Sequence, residues 1–173
     1  MATTPDMGQL SRKHLLHFID AKFGKSDTPD WFLIGKDIED LSVALNPDVQ
    51  TKKNIWDETV AEDNGYEPSI DADTYYANTE DTIYPTLKNI AMNRLTGDDC
   101  KTSILEVVVD SKNGPYDAWV EDIVVKPQSY GGASGHINIP YNISFDGNRK
   151  QGTVTITDKK PTFAETTQTT AEG

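Results

Sequence analysis

The chain reads as mainly β: an antiparallel β-sandwich or barrel with one flanking α-helix. Three observations carry this. Several stretches alternate apolar and polar residues with period two, one segment has helical spacing, and turn residues punctuate the strands at short intervals. At 173 residues the chain has room for one domain with a real core.

The clearest alternation runs from Gly135 to Phe145, where Ile137, Ile139, Tyr141, Ile143 and Phe145 oppose His136, Asn138, Pro140, Asn142 and Ser144. Asp146-Gly147-Asn148 has turn chemistry, and Thr153–Thr157 alternates again, so the pair is expected to form a hairpin. Asp40–Asn46 sets Leu41, Val43 and Leu45 against Ser42, Ala44 and Asn46, and Tyr66–Asp73 repeats the pattern. Thr102–Asp110 and Ala118–Lys126 are apolar on both faces, as buried strands are. Trp31–Ile34 fits a strand, and Leu15–Ile19 fits either a strand or a short helix. The helix is expected at about 81–95, where Ile83, Leu87, Ile90, Ala91 and Leu95 recur at helical spacing. Pro85 falls in its first turn, and Gly97 stands just past its end. Lys88, Asn89, Met92 and Asn93 then face outward.

These elements divide the chain into a polar arm at 1–11, a β domain at 12–160 and a flexible tail at 161–173. No apolar run is long enough to span a membrane, and the start of the chain lacks the basic and apolar blocks of a signal peptide. Neither membrane insertion nor signal-directed export is expected. Cys100 is the lone cysteine, which excludes an internal disulfide and fits a small buried filler. With 16 Lys and Arg against 28 Asp and Glu, the formal charge of −12 repels a phosphate backbone.

Chemistry-bearing patterns are weak. His14 and His17 have metal-ligand spacing on a helix but point to opposite faces of a strand, and no third ligand accompanies them. Asp71 and Asp73 share a strand face without neighbours that would push their pKa values apart. Gly131-Gly132-Ala133-Ser134-Gly135 lacks the Lys of a phosphate loop and opens onto a strand. No catalytic residue, cofactor or metal is expected, and an enzyme is not the expected reading. The segment 46–64 is more informative. It is longer than a simple hairpin needs and carries Lys52, Lys53, Ile55 and Trp56, and an aromatic in such a loop suits an interface anchor.

A resemblance emerges from the runs IEDLSVALNPDVQTKKNIWDET (Ile38–Thr59), GYEPSIDADTYYA (Gly65–Ala77), RLTGDD (Arg94–Asp99), EDIVVKPQSYGG (Glu121–Gly132) and YNISFDGNRKQGTV (Tyr141–Val154). In this order they resemble the major tail tube proteins of long-tailed, siphovirus-type phages of Gram-positive bacteria. The resemblance implies hexameric rings that stack into a hollow tube for delivery of genomic DNA, made in the host cytoplasm and incorporated in the virion. It implies partners in further copies of the chain and in the tape measure, tail terminator and distal tail proteins, with DNA passing through the lumen without specific binding. The long loop would bridge rings through Pro47, Val49, Lys52, Lys53, Ile55 and Trp56, aided by the terminal arms. Asp71, Asp73, Glu106 and Asp110 would line the lumen. Competing expectations are another ring-forming part, such as a tail terminator, a secretion-system tube subunit or a capsid decoration protein, and a ligand-binding domain or hydrolase on a β-scaffold.

Overall fold

The computed structural model describes residues 6–167, and 47% of these described residues are in strands and 10% helical. Ten strands and one α-helix follow in order: β1 (Leu15–Asp20), β2 (Trp31–Leu33), β3 (Val43–Ala44), β4 (Pro47–Lys53), β5 (Thr59–Tyr66), β6 (Ser69–Ala72), α1 (Tyr84–Asn93), β7 (Lys101–Val108), β8 (Tyr116–Pro127), β9 (Tyr141–Thr157) and β10 (Lys160–Glu165). Every pairing is antiparallel. Eight strands form one sheet in the order β2-β1-β7-β8-β9-β6-β3, with β10 also on β9, while β4 and β5 form a separate two-stranded ribbon. The expected class, antiparallel β with one helix, is the class observed.

Strand alternation divides the interior in two. In β7, Ile104 joins Ile19, Ile123, Val125 and Ile143 in the larger cluster, which α1 closes through Leu87 and Ile90. The intervening Leu105 and Val107 face the other way, into a smaller cluster with Phe18, Ala118 and Val154. The helix buries one face and leaves Lys88, Asn89, Met92 and Asn93 exposed, as its spacing predicts. It is shorter than expected at both ends. Pro85 sits in its first turn, and Arg94, not Gly97, takes the left-handed conformation that ends it, at φ 52°. Lys126 Nζ donates to Leu95 O at 3.1 Å and fastens that end to β8.

The expected hairpin at Asp146-Gly147-Asn148 is corrected. Tyr141–Thr157 is one strand that pairs with β8 on both sides of those residues. Gly147 and Asn148 have φ of 93° and 56°, and the register shifts opposite Val120–Ile123, so the turn-type residues make a bulge. A bulge adds residues to one strand without reversing it, which local composition cannot distinguish from a turn. The reversal comes later, at Asp158-Lys159, where two successive positive φ values of 51° and 65° form a two-residue loop. The chain then returns as β10.

The expected flexible tail is therefore wrong over its first residues, since 161–165 form an edge strand on β9. Gly152 permits this contact: a Cβ there would lie 2.2 Å from Ala164 O and 2.7 Å from the Phe163 ring. The last part of that tail, 168–173, and residues 1–5 of the expected arm lie outside the described residues. Asp6 does touch the domain, its N–H donating to Asp110 O at 3.1 Å and its carboxylate accepting from Lys112 N at 2.9 Å. Residues 135–140 also depart from the expected strand, joining their surroundings by isolated bridges from Asn138 to Tyr76 and Gly131. Leu15–Asp20 resolves as strand.

Candidate functional site

The segment 46–64, expected as a long loop, is most of a β-hairpin that leaves the body between β3 and β6. Asn46 fixes its base, adopting φ 46° and donating from Nδ2 to Glu67 O at 3.0 Å and Ser69 Oγ at 3.2 Å. From Pro47↔Tyr66 to Lys53↔Thr59 the ladder spans six residue steps, about 20 Å at ~3.3 Å per residue. β4 is exposed throughout and β5 nearly so, which a strand pair resting on its own body would not show.

The tip is ordered by Asn54. Its Oδ1 accepts from Trp56 N at 2.9 Å and Glu58 N at 3.0 Å, while Asp57 N donates to Asn54 O. Asp57 completes the turn at φ 64°. This arrangement thrusts out the two apolar side chains: Ile55 is 92% exposed and Trp56 75%. Behind them, Lys52 pairs with Glu62 and Lys53 with Asp57, and Val49 on the shaft is also exposed. All six residues anticipated for this surface, Pro47, Val49, Lys52, Lys53, Ile55 and Trp56, lie on this one projection.

At the foot of the hairpin lies a groove of about 490 Å³. Leu45, Tyr66 and Leu15 stand exposed at its rim, and Phe145 and Trp119 line it deeper in. Its floor is ionic. Glu106 and Glu121, each 7% exposed, share the Arg149 guanidinium, which reaches Glu106 Oε2 at 2.6 Å and Glu121 Oε1 at 3.0 Å. The cation also lies 5.8 Å from the Trp119 ring centre. His17, 2% exposed, brings Nε2 to 3.2 Å from Glu106 Oε1 without the alignment of a hydrogen bond. Burial pushes the Glu106 carboxyl up, but the adjacent His17 ring and the Arg149 guanidinium outweigh it and hold the group below its usual value.

No family model matches the chain, and no curated protein matches it.

The four carboxylates expected to share a lumen face are not brought together. Asp71 lies exposed on β6, between the buried Ile70 and Ala72, and Asp73 is exposed just beyond the strand. Glu106 belongs to the groove floor and is not an open surface charge. Asp110 follows β7, half-buried beside Asp6. His14 and His17 have separate partners, His14 being 3.0 Å from Ser11 Oγ. Among the described residues no three metal-ligating side chains converge, and no helix is long and apolar enough to cross a membrane. Cys100 is buried, matching its reading as a filler.

The sequence reading missed the floor. Its signal was present in two glutamates embedded in strands buried on both faces, since a buried carboxylate needs a cation. Which cation supplies it depends on the bulge that carries Arg149 over β8.

Proposed function

We propose that this chain is a structural subunit that assembles with copies of itself, and that its assembly is the tail tube of a long-tailed phage. The carrying observation is the β4–β5 hairpin, a well-ordered projection whose two most exposed apolar side chains, Ile55 and Trp56, sit at its end. Holding a large aromatic in water on a rigid arm is unfavourable for a monomer and favours contact with a neighbour. The short outer strands β2 and β3, and β10 beyond β9, offer unpaired edges that neighbouring copies would complete. The acidic balance suits a conduit, because exposed carboxylates such as Asp71 and Asp73 give passing phosphates nothing to hold.

Negative-stain microscopy of the concentrated full chain tests this reading. Uniform hollow cylinders support the tube, single closed rings support a terminator-like part instead, and dispersed monomers at every concentration overturn self-assembly.

A further inference from the structure

We propose that the groove at the foot of the hairpin is the acceptor for the hairpin tip of a second copy of this chain, with Trp56 as the inserted side chain. This rests on the reading of the chain as a self-assembling subunit and assigns the acceptor surface within it.

The two surfaces match in chemistry. The groove is walled by Leu15, Leu45, Tyr66 and Phe145 and floored by Glu106 and Glu121, whose oxygens meet Arg149, His17 and the Gly147 N–H and keep further lone pairs for a donor. The tip brings an apolar pair and an indole N–H that can only donate, with Lys53 just behind it already paired with Asp57. A chain cannot satisfy its own groove. The hairpin rises from the groove rim at Leu45 and Tyr66, and its ladder, irregular only between Pro47 and Val49, puts about 20 Å of strand between the rim and the tip.

Two different surfaces on one chain either meet head to tail, which propagates into a ring or an open filament, or exchange reciprocally in a closed two-fold pair; the self-assembling subunit requires the first. The buried area sets the strength. A Trp contributes at most about 250 Å², against the roughly 1,200 Å² or more of a stable interface. One tip in one groove is therefore a weak contact that holds when many act together, as in an assembly of stacked copies.

The test mixes two full-length single-cysteine variants, Ile55→Cys and Leu45→Cys, one carrying a mass tag, under mild oxidation at high concentration. Both positions are exposed, so folding is retained, and native Cys100 is buried. The expected product is the 55–45 heterodisulfide, at least tenfold above either homodisulfide. A second variant, Leu45→Asp with Tyr66→Asp, is expected to weaken self-association at least tenfold while leaving the melting curve in place. Homodisulfides in statistical proportion, or no disulfide, overturn the groove assignment even where cylinders form. A dominant heterodisulfide without cylinders or rings upholds the groove and removes the tube.

Discussion

Replacing Arg149 with Met probes the ionic floor of the groove. The guanidinium contacts Glu106 at 2.6 Å and Glu121 at 3.0 Å, and both carboxylates are nearly buried. Methionine keeps much of the stem that packs on Trp119 and removes the charge, stranding two like charges in a poorly solvated place. Breaking a buried pair in this way costs about 3–5 kcal/mol. Arg149 itself is 42% exposed, so water already screens part of the interaction, and the expected loss is about 2–3 kcal/mol. For a domain of this size that lowers Tm by roughly 4–12 °C.

The pH dependence identifies the cause. In the native chain the Glu106 pKa is lowered from its ordinary 4.5, so its contribution is present above that value and is lost as pH falls through the depressed one. In Arg149→Met only His17 is left to oppose burial, and the Glu106 carboxyl protonates more readily. The gap between the two proteins is therefore widest near neutral pH and narrows toward pH 4. Urea unfolding of both proteins at pH 7 and pH 4 measures it. A loss under about 0.5 kcal/mol at pH 7, or a gap that does not shrink on acidification, refutes the reasoning.

Three further outcomes follow from particular contacts. Gly152→Ala forces a Cβ against Ala164 O and the Phe163 ring; it should cost about 1–3 kcal/mol and release β10, seen as faster protease cleavage after residue 159. Asn54→Ala removes the acceptor for two tip amides; hydrogen exchange at Trp56 and Glu58 should accelerate while global stability stays within about 0.5 kcal/mol. Trp56→Ala removes a side chain exposed to solvent in the free chain; its unfolding free energy should match the parent within about 0.5 kcal/mol, and calorimetry that shows a larger loss would place the indole against its own domain.

Periodicity revealed what depends on neighbours in sequence. The buried strands β7 and β8 and the inward face of α1 were legible because alternation and helical spacing are local consequences of burial. The fate of Asp146-Gly147-Asn148 was not legible, because the same positive-φ residues serve a turn or a bulge and the long partner β8 decides between them. β10 was hidden for a related reason: Lys160–Glu165 includes a proline and polar residues, and it is a strand because Gly152 opens room beside β9.

At the candidate site, Ile55 and Trp56 stood out as apolar residues in a polar segment, and the structure leaves them exposed. The grouping of Asp71, Asp73, Glu106 and Asp110 failed because spacing along separate strands does not fix which face of the folded sheet each carboxylate meets. Glu106 pairs across the sheet with His17 on one side and Trp119 on the other, a relation that exists only once register is set.

Sedimentation velocity of the full chain over a wide concentration range, beside an Ile55→Ser/Trp56→Ala variant, shows whether the exposed tip drives self-assembly. The parent is expected to grow from 19.2 kDa into large multiples as concentration rises, while the variant stays at 19.2 kDa. Identical behaviour of the two proteins, whether both monomeric or both assembled, would contradict it.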